Sequence, residues 1–239
     1  MTMVEMACDG AVVRLTMNAP DRLNALSDEM LAALQARLDE IAHRPDIRVV
    51  ILAGAGKAFC AGHDLKQMTA LRDAKDGGVA GFQDLFERCA RLMARIQSLP
   101  QPVIAQVHGI ATAAGCQLVA TCDLAVAAED TRFGVNGVNI GLFCSTPMVA
   151  LSRNIPRKQA FEMLTTGDFI DTDRAIDLGL INRAVPGEQL ATETNALAEK
   201  IAAKLGTAVA HGKGAFYQQM HLPTDQAYAF TGDVMVRNM

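Results

Sequence analysis

The chain has no excess of positive charge: its 239 residues carry 22 Lys and Arg against 26 Asp and Glu, a formal net charge of -4 at pH 7. That argues against a nucleic-acid binder working through a general positive field. The six cysteines (Cys8, Cys60, Cys89, Cys116, Cys122, Cys144) include no C-x-x-C pair and no His/Cys cluster of zinc spacing, so no metal site is expected. Small buried thiols are the plain reading of such cysteines. The first ten residues lack the basic start and apolar block of a secretory signal and the arginines of a transit peptide. Together with the unpaired cysteines, this leads to the expectation of a reducing, cytoplasmic setting.

Familiar catalytic signatures are missing too. Gly54-Ala-Gly56-Lys57-Ala58 lacks both the first glycine and the final Ser/Thr of a phosphate loop, and there is no G-x-S-x-G and no H-E-x-x-H. Charge is absent where it would be noticed most. Ile96–Cys122 and Phe133–Ser152 carry none, although each is long enough to cross a bilayer. Prolines, glycines and amides interrupt both, as at Pro100, Pro102, Gln106, Gln117, Asn136, Asn139 and Pro147. They read as buried structure, with no membrane span.

What is present is a chain with 50% apolar residues, enough for a large core and too apolar for disorder at this net charge. Residues 11–17 alternate as a strand, and Asn18-Ala-Pro-Asp21 ends it. Ser27 caps a helix whose Met30, Leu31, Leu34, Leu38 and Ile41 share a face. Residues 48–53, 103–107 and 124–128 are short apolar runs that read as buried strands. A helix over 81–97 turns Phe82, Leu85, Phe86, Cys89, Leu92, Met93 and Ile96 inward, and another spans 113–120. A last strand is expected over 180–185, within a mainly helical C-terminal part. Strands alternating with helices indicate an α/β domain.

Two segments combine a strand end, a turn of small residues and a helix start: Lys57-Ala-Phe-Cys-Ala-Gly-His-Asp-Leu-Lys66 and His108-Gly-Ile-Ala-Thr-Ala-Ala-Gly-Cys-Gln-Leu118. Small side chains let a ligand reach free backbone N–H groups at a helix N-terminus. Two such turns side by side can form an oxyanion hole.

The strings Asn24-Ala-Leu26, Ala58-Phe-Cys-Ala-Gly-His-Asp-Leu65, Ala113-Ala-Gly-Cys-Gln-Leu118, Cys122-Asp123 and Thr166-Gly167 stand in an order and at separations that resemble the crotonase (enoyl-CoA hydratase/isomerase) superfamily over nearly the whole chain. Residues 111–119 and 137–147 look closest to its enoyl-CoA hydratase domain-containing protein 3 subgroup. The resemblance implies an α/β fold with a ββα spiral core (1–186), then a mainly helical C-terminal trimerisation region (187–239) that stops before a further helix shared by the family. It implies a homotrimer or dimer of trimers, and an acyl-CoA thioester whose carbonyl accepts from the backbone N–H groups of His63 and Ala114. No cofactor is implied beyond the coenzyme A moiety of the substrate. Arg22, Ala25, Leu26, Ala61, His63, Asp64, Leu65 and Lys66 would line the CoA path, with Arg22 and Lys66 facing phosphates.

The likeness breaks at the proton-transfer groups. Family hydratases resemble one another in two glutamates, and those slots hold Gln117 and Gly137 here. A third slot, an aspartate in some relatives, holds Ser145. A glutamine can orient a water but is not basic, and each lost acid–base group removes roughly 10²–10⁴ in rate. Three readings follow: an acyl-CoA enzyme with non-standard proton-transfer groups, a weakly catalytic or non-catalytic acyl-CoA binding or regulatory protein, and a structural subunit. His108 and Cys144 read as structural, and Asp64 as a helix cap.

Overall fold

The computed structural model describes residues 2–239. In chain order the strands are β1 (Val4–Asp9), β2 (Val12–Met17), β3 (Val49–Gly54), β4 (Val103–Val107), β5 (Ile110–Thr112), β6 (Leu124–Ala128), β7 (Arg132–Gly134), β8 (Phe169–Ile170) and β9 (Arg183–Val185). The helices are α1 (Asp28–Ala42), α2 (Leu65–Leu71), α3 (Val79–Ser98), α4 (Ala114–Thr121), α5 (Pro147–Asn154), α6 (Arg157–Thr166), α7 (Thr172–Asp177), α8 (Leu190–Ala202), α9 (Gly206–Gln219) and α10 (Thr224–Asn238).

Six strands form one sheet in the order β1-β2-β3-β4-β6-β9, parallel except for the β1–β2 hairpin. Both faces of this sheet are covered, which is why β3 and β4 are almost wholly apolar. Along β3, Val50 and Leu52 enter the larger core under α1, α3 and α4, while Val49 and Ile51 enter a smaller one beneath Leu190 and Ala198 of α8.

The second layer consists of short segments. β5, β7 and β8 form a three-stranded sheet, extended by isolated bridges Cys60–Ala111 and Leu26–His63. Each turn of the chain thus supplies a strand to the large sheet, a short segment to this inner layer and then a helix: β2, Leu26 and α1; β3, residues 60–63 and α2–α3; β4, β5 and α4. This is the expected ββα spiral.

The expected strands over 103–107 and 124–128 match β4 and β6, and Ser27 caps α1 through Met30 N–H. Phe82 and Phe86 are only partly buried, unlike the rest of the expected α3 face. The strand expected over 180–185 is confined to β9, because Leu180 and Ile181 bond back to Ala175 at the end of α7.

The C-terminal helices are fixed by a buried charge. Lys213 of α9 donates to Asp123 Oδ2 (2.7 Å), Ile96 O (2.8 Å) and Gln101 O (3.0 Å). Tyr217 donates to Asp123 Oδ1 at 2.8 Å, and the same carboxylate accepts the Val103 N–H at 2.7 Å. Lys213 is the buried residue of α9. Burial lowers its pKa, and the Asp123 charge opposes that fall. Removing one partner of a buried pair strands the other, at a cost of about 3–5 kcal/mol. Lys213→Met is therefore expected to lose about that much stability in urea unfolding, with earlier proteolysis across 203–223.

Candidate active site at the two backbone turns

Asn24 sets the first turn. It is fully buried, with a left-handed φ of 52°, and its side chain accepts from Ala19 N–H (3.0 Å) and donates to Ala55 O and Ala58 O (2.8 Å each). This amide ties the end of β2 to the loop after β3, so that Leu26 N–H reaches Gly62 O at 2.7 Å and Ala61 N–H reaches Leu23 O at 3.0 Å.

Residues 60–63 lie directly against 112–115. Cys60 bridges Ala111, donating its N–H to Ile110 O and accepting from Thr112 N–H, both at 3.1 Å. A Cβ on Gly62, whose φ is +89°, would meet Ala113 Cβ at 3.0 Å and Ala114 N at 3.2 Å. A Cβ on Gly115 would collide with the Cys60 carbonyl. Both positions require glycine, for φ at one and for space at both. Ala113 takes φ 49° and ψ -118° and still donates to Gly134 O at 2.9 Å. A non-glycine residue there costs of order 1–3 kcal/mol and is held by its surroundings, a pattern concentrated at functional sites.

The outcome is two neighbouring backbone N–H groups, of His63 and Ala114, with no acceptor among the described residues. Ala114 opens α4, whose dipole adds positive potential there. Such a pair can hold one oxygen that carries negative charge.

Around this pair, the expected carboxylate slots sit as follows. Gln117, one turn along α4, is buried, and its side-chain carbonyl has no partner. Gly137 is buried in a 3₁₀ turn, Asn136–Ile140. A Cβ there would strike the Leu142 carbonyl and come within 2.8 Å of Cys144 Sγ. The second slot is therefore closed by the loop over 141–144. Ser145 is exposed, and its hydroxyl donates to Phe143 O at 3.3 Å. Asn136 accepts from Thr112 Oγ1 at 2.6 Å, a link with no sequence signal.

His63 carries a second feature. Its ring lies edge-on to Phe86 of α3 at 5.8 Å, and neither ring nitrogen has a hydrogen-bond partner, although both are buried. Burial lowers its pKa below the usual imidazole value, partly opposed by the Leu26 backbone and reinforced by the Arg88 charge. A cavity of about 240 Å³ between α2 and α3 is lined by Leu26, Asp64, Gln67, Leu71 and Arg88 among others, and His63 is not part of its wall.

On the expected CoA path, Asp64 caps α2 by accepting Lys66 N–H (2.9 Å) and Gln67 N–H (3.2 Å), and it pairs with Arg22. Burial tends to raise the Asp64 pKa, but the α2 N–H groups and Arg22 hold it below the usual carboxylate range. Arg22 remains half exposed, while Leu65 and Lys66 are exposed. Ala61 is partly exposed and Ala25 nearly buried. Leu26 is fully buried, leaving only its backbone to face a ligand. His108 bonds Gly56 O at 2.8 Å, a structural role, and Cys144 is a buried thiol whose pKa is raised by burial.

Known proteins resemble this chain along nearly its whole length. The family model described as enoyl-CoA hydratase/isomerase matches residues 8–238. Enoyl-CoA hydratase domain-containing protein 3, mitochondrial, is 47% identical in Xenopus laevis, over 95% of this chain and 75% of that protein. The human protein of the same name is 43% identical over 94% and 73%. A crystal structure of enoyl-CoA hydratase from Mycobacterium smegmatis superposes with a TM-score of 0.95 at 53% identity, covering 99% of this chain and 91% of that one. The human domain-containing protein 3 structure gives 0.91 at 40% identity, covering 99% and 91%.

The names of the frog, rat, mouse, human and zebrafish relatives include "mitochondrial", which overturns the cytoplasmic expectation. That expectation rested partly on unpaired thiols, which suit any reducing compartment and do not tell one from another. With the family matched along almost its full length and the spiral fold shared, the chain belongs to the enoyl-CoA hydratase/isomerase family.

Proposed function

We propose that this protein binds an acyl-CoA thioester and polarises its carbonyl between the backbone N–H groups of His63 and Ala114, without the hydratase pair of glutamates. The observation that carries the reading is the close packing of 60–63 on 112–115, which leaves those two donors free side by side. A thioester oxygen gains charge when the adjacent carbon loses a proton or gains a nucleophile, and each fixed donor contributes about 10²–10³ in rate. Exposed Lys66 and half-exposed Arg22 are placed to meet CoA phosphates, with Ala25, Ala61, Leu65 and the Leu26 backbone along the path and Asp64 holding Arg22 in place. No cofactor beyond the CoA moiety enters this reading.

Ordinary hydration of an enoyl thioester is disfavoured. The Gln117 amide does not ionise at neutral pH and so cannot serve as acid or base, and the Gly137 position has neither a carboxylate nor room for one. That closed slot favours, as the second reading, a weakly catalytic acyl-CoA binding protein.

The binding reading is tested by calorimetric titration with butyryl-CoA. Saturable heat below millimolar ligand is expected, weakened several-fold in Lys66→Ala, and silence at millimolar ligand refutes the reading. Crotonyl-CoA tests the chemistry: loss of its conjugated absorbance should run at least 10²-fold below the usual enzymic range of about 1–10³ s⁻¹. Gly137→Glu should not raise that rate, even combined with Gln117→Glu, and should cost about 1–3 kcal/mol by overpacking the 141–144 loop. Hydration restored by the double variant would show that the slot opens.

A homotrimer, or a dimer of trimers, is the proposed assembly. It is supported by the apolar side chains Phe216, Met220, Tyr228 and Met235 that α9 and α10 leave exposed. Light scattering should give three or six times the 25.5 kDa chain mass.

A further inference from the structure

A guanidinium taken partly out of water loses hydration, and a carboxylate is its usual compensation. Arg37, Arg44, Arg88 and Arg95 are partly buried, and each pairs with an aspartate or glutamate. Arg14 is the exception. It is half-buried in β2 and has no carboxylate partner among the described residues. Its partners are amide oxygens, Gln106 Oε1 on β4 and Asn195 Oδ1 on α8, both at 2.7 Å. Burial lowers its pKa, and no neighbouring carboxylate opposes the fall.

A bridge between two strands and a helix uses only part of this side chain. A guanidinium has five N–H donors, and the two amides take two of them; Nε, which has no partner, is not sealed off from solvent. Arg14 lines a cavity of about 390 Å³ on the face of the sheet that α8 covers. The cavity exists because Ala7, Ala11 and Ala202 are too small to fill the space between the β1–β2 hairpin and the end of α8. Asn195 lines it too. A guanidinium accepts nothing, so the Asn195 carbonyl is the end turned to Arg14, and its NH₂ group is a further donor with no partner among the described residues.

We propose that this cavity binds a small organic monoanion, a carboxylate with a short apolar tail. The carboxylate accepts from Arg14 and Asn195, and the tail lies along Ala7, Val12 and Ala202, all at least partly exposed. The remaining charges select this class. Asp9 and Glu199 also line the cavity, and both are exposed. A dianion such as a phosphate group would double the repulsion from these two and leave its second charge without a cation, because Arg14 is the one cationic residue of the lining among the described residues.

The site is separate from the acyl-CoA path and does not rest on that reading. None of residues 22–26, 60–66 or 112–117 lines the cavity. Along β2, Val13 and Leu15 enter the larger core under α1, α3 and α4, while Val12 and Arg14 alternate to the α8 side. Charge-assisted hydrogen bonds to a carboxylate are strong, and a guanidinium that folding has already stripped of part of its water loses less when a ligand arrives. A ligand of few atoms still binds weakly, so half-saturation is expected at about 1 mM.

The experiment is a titration with hexanoate, read by amide chemical-shift mapping, with hexanol and inorganic phosphate as comparisons. Saturable shifts are expected over residues 7–14 and 195–202, and neither comparison should reproduce them. Arg14→Gln should weaken hexanoate binding by about tenfold or more. Ala202→Leu, which fills the cavity and leaves the Arg14 bonds in place, should do the same, and it decides the matter if Arg14→Gln does not fold. Calorimetric heats with butyryl-CoA should be unchanged in Ala202→Leu. The proposal is overturned by hexanoate shifts that are absent from these residues at about 10 mM ligand, by equal shifts from hexanol or phosphate, or by hexanoate affinity that survives in Ala202→Leu. Butyryl-CoA binding lost together with hexanoate in that variant would put both ligands in one site and overturn it too. Failure of butyryl-CoA to bind the wild type would count only against the function proposed above.

Discussion

Everything at the candidate site depends on two stretches of backbone coming closer than side chains allow. Residues 60–63 and 112–115 touch through Gly62 and Gly115, and a single methyl group at either position would push the segments apart. That contact aligns the His63 and Ala114 N–H groups, draws Ala113 into a backbone conformation few non-glycine residues adopt, and leaves α4 to begin without a side-chain cap. The donors at such a helix start would ordinarily be satisfied by a Ser, Thr, Asn or Asp. Here that place is held by an alanine whose side chain bonds nothing, and the first turn of the helix stays available to a ligand.

Helix α4 is held at its other end by a different force. All eight of its residues are buried, and it runs directly into Cys122 and Asp123. The Asp123 carboxylate gathers the Val103 N–H, Lys213 and Tyr217. One end of the helix is thus positioned by backbone contact and the other by a charged cluster that also anchors α9. A shift of the C-terminal helices would be felt at Asp123 and, through a helix with no exposed face to absorb it, at the Ala114 N–H. Rigid support of this kind is what a preorganised pair of donors needs, because a hole that must reorganise to bind its oxygen stabilises it less.

Much of the frame was legible in the residues. β3, β4 and β6 announce themselves as apolar runs because both faces of the large sheet are covered, and α1 does so through Ser27 and a regular apolar face. β1 was hidden because its edge position leaves Glu5, Cys8 and Asp9 outside, while β5, β7 and β8 are two or three residues long and carry no period. The inner layer is a product of tertiary contact. The site divides in the same way. The small-residue turns were visible in the sequence, but the closing of the Gly137 slot by Leu142 O, the outward turn of Ser145 and the isolation of the His63 ring depend on atoms far apart in the chain or on loop geometry. The compartment was misread because cysteine usage reports redox state and carries no address.

The side chains at Gln117 and Gly137 and the free N–H groups of His63 and Ala114 are set by different parts of the structure. A carboxylate at either slot is a side chain, changed by one substitution without disturbing the fold. The two free N–H groups belong to the backbone, and removing them means undoing the Gly62 and Gly115 contacts that hold residues 60–63 against 112–115. A chain of this fold can therefore change side chains at these slots while keeping the paired backbone N–H groups, but not easily the reverse. Gly137 also lacks room for a side chain. The Leu142 carbonyl and the Cys144 thiol lie against it, so a side chain at this position would have to displace the 141–144 loop.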